Sequence, residues 1–501
     1  MDLMNRSLLL WFHFEAFRNW FCTPGERGSV ILRLLATFVL VSVLMPHQAQ
    51  GDDAKTNIIF FLADDLGWTG LKSFGSDFYE TPCLDQLADS GMRFTNAYAA
   101  CTVCSPTRAS IMTGMYPARL HLTDFIAGQN RPFAKMKIPD WTKQLEQSTV
   151  TIAEKLREHG YRTGLVGKWH LSPQGGGLED STPYDHGFDF VIDKPKGTKG
   201  YQLSPDKVSE VERRTYLTDY LTDEAIRFIE KESVNPFFLY FAYHVPHTPI
   251  QGRKDLVEYF EKKRDPNAIH QNANYAAMVA SMDQSVGRIL ERLEQLGLSE
   301  NTLVVFTSDN GGLTQRYGKH DGFTENLPLR RGKGSAYEGG VRVPTIIRWP
   351  GETDPGSMSE EPICSIDYFP TLIQIARGSL TEVDPSLSDG VSLVPILQDS
   401  KQSLERDLFW HYPHYHAGGD GPYSAVRSGR WRLIEFHESA KVELYDLVTD
   451  IGEQNNLLPV AKDRAEMLLR KLRAWQKEVG AQFAVENPAY QPAKAMEVRK
   501  R

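Results

Sequence analysis

Asn57-Ile-Ile-Phe-Phe-Leu-Ala63 is an unbroken apolar run of strand length, followed at once by Asp64-Asp65-Leu-Gly67. Such a run is typical of a central strand in a parallel sheet, where both faces are buried and polar residues do not alternate with apolar ones. Adjacent carboxylates at the end of a strand usually mark a solvated turn or a helix cap. The alternative is a pair of metal ligands. The run therefore predicts an α/β protein with this strand near the centre of its sheet.

The same pattern, an apolar strand that ends in polar or ionisable residues, recurs along the chain. Further strands are predicted at residues 161–167, 236–243, 301–307 and 343–349. The first three end in Lys168-Trp-His170, His244-Val-Pro-His247 and Ser308-Asp-Asn-Gly311. Ligands bind at the carboxyl ends of strands in open α/β sheets, so we expect one site assembled from several loops.

Helical spacing of apolar residues predicts amphipathic helices at residues 81–90, 150–159 and 275–296. After residues 384–389 the pattern changes to short antiparallel strands and a final helix. The strands are predicted at residues 408–411, 423–427, 431–435 and 442–445, and the helix at 461–479. The sequence thus predicts a large, mostly parallel or mixed central sheet flanked by helices (residues 52–395). A smaller C-terminal α+β domain, a short antiparallel sheet plus a helix, is expected at residues 396–501.

The N-terminal region has the features of an export signal. Residues 32–44 form an apolar run that is too short to span a bilayer comfortably, and Arg27 and Arg33 lie before or at its start. Ala49-Gln-Gly51 offers small residues for cleavage. We therefore expect residues 1–51 to be a signal peptide with an N-terminal extension, cleaved near Gly51. The protein would be periplasmic or secreted, without a stable membrane anchor.

Composition and charge exclude several classes of protein. With 41% hydrophobic and 24% charged residues the chain is typical of globular proteins. A net charge of −8 without a basic tract argues against a nucleic-acid partner. Cys22 lies in the predicted leader, which leaves Cys83, Cys101, Cys104 and Cys364. Four cysteines in a chain of this length are too few for a disulfide framework.

The segment Cys101-Thr-Val-Cys-Ser-Pro-Thr-Arg108 brings several reactive groups together. Pro106 suits the first turn of a helix, which we predict at residues 107–112. The N-terminal amides of that helix would form an anion site at Cys104, and Arg108 would add a permanent charge with a fork of donors. The pattern favours a nucleophile acting on a tetrahedral oxyanion. A buried structural cysteine, a Cys101/Cys104 redox pair and half of a zinc site fit the segment as well.

Four oxygen-bearing side chains at strand ends form a candidate cation site: Asp64, Asp65, Asp309 and Asn310. Hard oxygen ligands favour Ca²⁺ or Mg²⁺ over zinc. The candidate charged and proton-handling residues are Arg108, Lys168, Lys333, His170 and His247. Taken singly, each lysine or histidine also fits a solvated position.

Taken in order, these blocks resemble the type I, formylglycine-dependent sulfatases of the alkaline-phosphatase superfamily, with arylsulfatase-like motifs. The resemblance extends over roughly residues 55–455. The matching blocks are Asp64-Asp65, Cys104-Ser-Pro-Thr-Arg108 with Thr113-Gly114, Gly167-Lys-Trp-His170, His247-Thr-Pro249, Ser308-Asp-Asn-Gly311, Lys333 with Glu338-Gly-Gly340, and Leu444-Tyr-Asp-Leu447.

The resemblance implies that a formylglycine-generating enzyme converts Cys104 to 3-oxoalanine (formylglycine), whose hydrate is the working group. It implies a divalent cation, Ca²⁺ or Mg²⁺, held by the oxygen ligands above together with the modified Cys104. One hydroxyl of the hydrate attacks sulfur, and His247 or Lys333 protonates the leaving alcohol. His170 then deprotonates the second hydroxyl, and sulfate leaves. Arg108, Lys168 and Lys333 supply positive charge.

Of the two histidines after the third strand, His247 fits the family block, and we expect His244 to be a neighbour or a substrate contact. Cys101 is expected to be structural. The expected substrate is a sulfated small molecule or carbohydrate, bound by loops at residues 172–199, 313–329 and 411–423. Candidate substrate contacts, each of which also fits a surface position, are Tyr317, His320, His411, His414 and His416. The alternatives are a phosphodiester or phosphonate monoester hydrolase on the same scaffold and a catalytically inactive sugar-binding relative.

Overall fold

The apolar run quoted above forms the first described strand, Asn57–Ala63, and all its residues are buried. The computed structural model describes residues 55–173, 181–203, 216–315, 322–378 and 387–498. The predicted signal peptide lies outside these residues. In the part of the chain that is described, no helix is long and apolar enough to cross a membrane.

The strands are β1 (Asn57–Ala63), β2 (Met92–Phe94), β3 (Ala97–Tyr98), β4 (Met136–Lys137), β5 (Arg162–Gly167), β6 (Phe190–Ile192), β7 (Phe237–Ala242), β8 (Thr302–Ser308), β9 (Thr345–Arg348), β10 (Ser357–Ser359), β11 (Ile363–Cys364), β12 (Asp407–Tyr412), β13 (Tyr423–Ser428), β14 (Trp431–Phe436), β15 (Lys441–Asp446) and β16 (Val485–Glu486). The helices are α1 (Pro82–Ser90), α2 (Cys104–Thr113), α3 (Pro117–Leu120), α4 (Ile152–Glu158), α5 (Leu217–Glu232), α6 (Lys254–Lys262), α7 (Ala273–Gln295), α8 (Glu338–Val341), α9 (Tyr368–Arg377), α10 (Val394–Gln398) and α11 (Lys462–Glu478).

The central sheet has eight strands in the order β10-β2-β9-β8-β1-β7-β5-β6. Strands β8, β1, β7, β5 and β6 run parallel, whereas β9 is antiparallel to both β8 and β2. Strand β1 lies between two parallel neighbours, with Phe60 opposite Tyr240 of β7 and Val305 of β8. The predicted central position of this strand is confirmed.

Alternate residues of β1 supply two different apolar cores, which explains why residues 58–63 are all apolar. Ile59 and Phe61 pack on one face of the sheet with helices α1, α5 and α7. Ile58 and Phe60 pack on the other face with α2, α4, α9 and α10. A strand covered by helices on both sides is nearly continuously hydrophobic.

Helix α2 differs from the sequence-based expectation. It begins at Cys104, not at residue 107, and ends at Thr113, followed by the capping residue Gly114, whose φ is 70°. Proline is tolerated at Pro106 because the amides of a first turn have no partner within the helix. Cys104 is therefore the first residue of the helix rather than a neighbour of its N-terminus.

The C-terminal strands form a separate antiparallel sheet in the order β12-β13-β14-β15, and helix α11 packs on it. This confirms the predicted combination of a large mixed sheet and a small antiparallel one. Apolar residues of the C-terminal sheet share a core with residues beside α2, among them Tyr98 and Val103. The domain boundary between residues 395 and 396 stays a prediction.

Candidate active site

The polar residues predicted at strand ends meet at one edge of the central sheet. Asp64 and Asp65 follow β1, and Asp309 and Asn310 follow β8. A cavity of about 360 Å³ opens at this edge. Its polar and charged lining consists of Asp64, Asp65, Cys104, Lys168, His170, Lys194, Tyr201, His244, His247, Thr248, Lys333 and His416.

Lys333 reaches this edge because β9 is antiparallel. The carboxyl ends of parallel strands meet at one edge of a sheet, whereas an antiparallel strand presents its amino end there. Lys333 precedes β9, so the loop that carries it arrives at the same edge as Asp65. The Lys333 Nζ donates to both carboxylate oxygens of Asp65, at 2.6 and 2.8 Å.

Asp64 and Asp309 are joined by the buried guanidinium of Arg108, on the second turn of α2. Arg108 donates through Nε and Nη2 to Oδ2 of Asp309, at 2.9 and 2.7 Å, and its Nη2 lies 3.6 Å from Oδ2 of Asp64. Lys168 Nζ donates to the same Asp64 oxygen at 2.5 Å. Burial raises the pKa of Asp64, but the nearby charges of Lys168, His247 and Arg108 outweigh burial and hold it well below its usual range.

Asp65 lies between three polar partners. Besides Lys333, the Asn310 Nδ2 donates to Asp65 Oδ1 at 2.7 Å, and His247 Nε2 lies 3.7 Å from Asp65 Oδ2. Burial acts against its charged form, yet the Lys333 and His247 charges lower the pKa of Asp65. Burial also lowers the pKa of His247, although the Asp65 carboxylate opposes the shift.

The oxygen atoms of this cluster fit a hard divalent cation. Two buried oxygens, Asp64 Oδ1 and Asn310 Oδ1, have no hydrogen-bond partner among the described residues. Ligand atoms from Asp64, Cys104 and Asp309 lie within 4.8 Å of one another. Burial and the charge of Asp64 raise the pKa of Asp309 to about 7, as expected where carboxylates crowd together. A cation would use the unsatisfied oxygens and offset this repulsion.

Cys104 faces a histidine whose tautomer is fixed by the backbone. His170 Nε2 lies 2.6 Å from the carbonyl oxygen of Ile126, which only accepts hydrogen bonds, so Nε2 carries the proton. The other ring nitrogen, Nδ1, lies 3.3 Å from Sγ of Cys104. Burial and the charges of Lys168 and Arg108 hold the pKa of His170 well below its usual range. A neutral His170 therefore presents a lone pair to residue 104.

The structure bears on the alternatives considered for Cys101 and Cys104: a structural cysteine, a redox pair and half of a zinc site. The four described cysteines are free thiols, and Cys101 packs in the core shared with the C-terminal sheet. Of the described cysteines, Cys104 takes part in a cluster of metal-ligating side chains, and its partners are carboxylates. Burial raises the pKa of the Cys104 thiol, which disfavours a thiolate nucleophile.

Of the candidate substrate contacts in the C-terminal region, His416 lines the cavity, whereas His411 and His414 do not. His411 bonds to Ser424 Oγ and the Gln482 carbonyl, and His414 to Thr123 Oγ1. The His416 ring lies against Gly334. A Cβ atom at residue 334 would come within 2.1 Å of the His416 Nδ1. Tyr317 and His320 lie outside the described residues.

Sequence analysis did not single out several residues of the cavity. Lys194 follows the short strand β6, preceded by Asp193, which bonds to His244 at 2.9 Å. The Tyr201 hydroxyl contacts the loop that carries His244 and His247. The same strand-end rule would have found Lys194, but β6 is only three residues long and carries no recognisable strand pattern. No comparable signal marks Tyr201.

Comparison with known families agrees with this arrangement. The family model described as Sulfatase matches residues 56–379. The chain belongs to the sulfatase family. A second model, N-sulphoglucosamine sulphohydrolase, C-terminal, matches residues 332–479 of this sulfatase. The resemblance noted from the motifs and the prediction of a sulfatase enzyme are confirmed.

Relatives of this sulfatase match over most of their length. A sulfatase of Formosa agariphila is 32% identical and covers 87% of this chain and 92% of its own. Arylsulfatase A of Homo sapiens is 31% identical, with coverage of 84% and 87%. The solved structure of Ps i-CgsB in complex with k-i-k-neocarrahexaose has a TM-score of 0.72 at 27% identity and covers 88% of this chain and 96% of that one. A phosphonate monoester hydrolase of Agrobacterium radiobacter, at 21% identity, shares the fold.

Proposed function

We propose that this sulfatase releases inorganic sulfate from a sulfated carbohydrate and that Cys104, converted to formylglycine, is the residue that reacts with sulfur. The observation that carries the proposal is the position of Cys104. It begins helix α2, with the base His170 on one side and carboxylates of the cation cluster on the other. A buried thiol with a raised pKa is a poor nucleophile, whereas a hydrated aldehyde has two hydroxyls and no need of a thiolate.

The cation of this site would be Ca²⁺ or Mg²⁺, held by Asp64, Asp65, Asp309, Asn310 and the modified residue 104. When bound, it would lower the pKa of a coordinated hydroxyl and partly neutralise the sulfate. The choice of a hard cation rests on the ligand set, which consists of carboxylate and amide oxygens.

His170 is assigned as the base for release of sulfate. Its Nδ1 lone pair faces residue 104, and the carbonyl of Ile126 prevents the ring from taking the other tautomer. The low pKa of His170 keeps the ring neutral at physiological pH, so it is ready to accept a proton.

The leaving alcohol would be protonated by Lys333 or His247, which both lie close to Asp65. The Lys333 Nζ lies 2.6 Å from Asp65 Oδ1. The Asp65 charge outweighs burial and raises the pKa of the Lys333 ammonium. The His247 Nε2 lies 3.7 Å from Asp65 Oδ2, and burial lowers the pKa of His247. We assign proton donation to this pair. Arg108 and Lys168 fix the carboxylates and add positive charge for the sulfate oxygens.

The carbohydrate class of the substrate is supported by the polar lining of the cavity and by the relative that was solved with a neocarrahexaose. The maturation partner would be a formylglycine-generating enzyme. We also propose export, with cleavage near Gly51, on the strength of the apolar run at residues 32–44.

Mass spectrometry of protein produced with a formylglycine-generating enzyme tests the central step. Conversion of Cys104 lowers the mass of the tryptic peptide 94–108 by about 18 Da, because sulfur is replaced by oxygen and two hydrogens are lost. The matured protein should hydrolyse 4-nitrophenyl sulfate in preference to bis(4-nitrophenyl) phosphate and phenyl phosphonate esters, and C104A should be inactive. An unconverted thiol in active protein contradicts the proposal, and so does a preference for the phosphorus esters.

A further inference from the structure

We propose that the cavity of this sulfatase contains a second anion subsite, centred on Lys194, which binds an acidic substituent next to the sulfate that is cleaved. The inference rests on the proposed function and narrows its substrate class. The preferred substrate would be a carbohydrate that carries at least two anionic groups, the second being a sulfate or a carboxylate.

The cations that line the cavity differ in how they are paired. Lys168 donates to Asp64 at 2.5 Å, and Lys333 donates to Asp65 at 2.6 Å. Lys194 lines the same cavity, and its ammonium forms no ion pair or hydrogen bond with any residue in the described ranges. An ammonium without a protein carboxylate beside a pocket attracts an anionic ligand group.

The neighbouring carboxylate does not neutralise Lys194, because it is engaged elsewhere. Asp193 Oδ1 accepts the backbone N–H of Lys194 at 2.6 Å and lies 2.9 Å from Nε2 of His244. Asp193 thus fixes the backbone from which the Lys194 side chain extends. It also orients the His244 ring, which lines the cavity as well.

His244 has no place in the proposed mechanism, but its position suits the subsite. Nε2 of His244 contacts Asp193, and its other nitrogen has no hydrogen-bond partner in the described part of the chain and can bind a ligand. The cavity, about 360 Å³, is near the lower end of the roughly 300–1,000 Å³ usual for small-molecule sites. An acidic group that contacts Lys194 must therefore lie on the sulfated sugar itself or on its direct neighbour.

The test compares kcat/KM for three disaccharides that share one cleavable sulfate. The first has no other charge, the second carries another sulfate on the same ring, and the third has a uronate carboxylate on the neighbouring sugar. 4-Nitrophenyl sulfate is assayed in parallel as a substrate without a sugar. The wild-type enzyme should prefer at least one of the doubly anionic disaccharides, and the preferred one identifies the second anion.

Variants assign that preference to Lys194. Lys194→Gln should lower the ratio of kcat/KM between the preferred and the singly sulfated disaccharide by about tenfold, the effect of losing one charge-assisted hydrogen bond. Lys194→Arg should restore most of the ratio, since the charge is kept. Lys196→Gln, two residues along the same loop but outside the cavity lining, should leave both the ratio and the activity unchanged.

Two outcomes overturn the subsite: a wild-type preference for the singly sulfated disaccharide, or a Lys194→Gln ratio equal to that of the wild type. Both can occur while sulfate is still released, so they leave the proposed function intact. Failure of matured protein to hydrolyse any sulfate ester, 4-nitrophenyl sulfate included, contradicts the proposed function and the subsite with it.

Discussion

The hydroxyl of Tyr201 donates to the backbone carbonyl of His247 across 2.7 Å, and the same oxygen lies 2.5 Å from the carbonyl of His244. The Tyr201 ring is buried and stacks on Tyr216, with ring centroids 5.8 Å apart. The position of the His247 loop therefore depends on a side chain from a different segment of the chain.

Tyr201→Phe should lower kcat by about five- to tenfold and should also lower the melting temperature. The His247 carbonyl loses its donor, which costs about 1–3 kcal/mol where the carbonyl stays buried, and the His247 loop loses a contact that fixes its position. Steady-state kinetics and thermal unfolding measure the two effects. Tyr216→Phe is the matched control, because its hydroxyl bonds at 2.9 Å to the carbonyl of Gln251 and not to that of either histidine. It should lose stability but keep kcat. A Tyr201→Phe enzyme that loses only stability would show that the hydroxyl does not position His247.

His170→Gln should reduce turnover of 4-nitrophenyl sulfate by roughly 10²- to 10⁴-fold, the usual contribution of a general base. Because the proposed role of His170 comes after the alcohol has left, a rapid-quench experiment should still show release of one equivalent of nitrophenol. His186→Gln is the control, since His186 is also buried but bonds to Ser181 Oγ outside the cavity. Loss of the first equivalent in His170→Gln would place the residue before, not after, alcohol release.

Addition of Ca²⁺ to chelator-treated protein should raise its melting temperature. A ligand that binds the folded state at a hundred times its Kd contributes about 2.7 kcal/mol. Asn310→Ala removes one of the two unsatisfied oxygens, and the rise should become much smaller. Asn301→Ala, which changes an asparagine whose side chain bonds to Lys55 at the opposite end of the strands, should keep the full rise. A rise of equal size in Asn310→Ala would exclude Asn310 as a ligand.

Two histidines, one in β12 and one directly after β14, should make the protein less stable in acid. Burial lowers the pKa of both His411 and His437 to about 4, and both rings bond to Ser424 Oγ. In the unfolded chain they take up protons near pH 6.5, but in the folded protein only near pH 4. The free energy of unfolding should therefore fall as the pH is lowered from about 6.5 to about 4, by up to about 3 kcal/mol per histidine.

Denaturant unfolding at a series of pH values measures this dependence. His411→Gln and His437→Gln should each flatten the slope between pH 6.5 and 4 and leave the slope near pH 8 unchanged. Slopes equal to that of the wild type would assign the acid sensitivity to other groups.

The strand-end rule predicted much of the site because it depends on a local feature. The bounds of each long strand, predicted from the residues of that strand, agree with the structure to within a residue or two. Parallel strands then bring their carboxyl ends to one edge of the sheet. Strand direction is set by contacts between distant segments, so the antiparallel course of β9 had no local signal. The arrival of Lys333 at the site was expected from a family motif and not from strand geometry.

The C-terminal histidines show what the sequence pattern could not predict. His411, His414 and His416 are close in sequence and of one residue type, so nothing local separates them. His411 lies within β12 and bonds to Ser424 and the Gln482 carbonyl, whereas His416 lies beyond the end of the strand, where the chain passes the cavity. Where each ring lies depends on how the second sheet packs against the first.

The core shared by the C-terminal sheet and the residues beside α2 has a consequence for the order of events during synthesis. Trp410 donates from its ring nitrogen to the carbonyl of Ala99, close to Cys104 in the chain. This hydrogen bond forms only after β12 has left the ribosome. In the folded protein Cys104 is 2% exposed. Vectorial translation thus leaves the segment that leads to Cys104 without this partner for a time, and the proposed maturation of Cys104 would be able to use that interval.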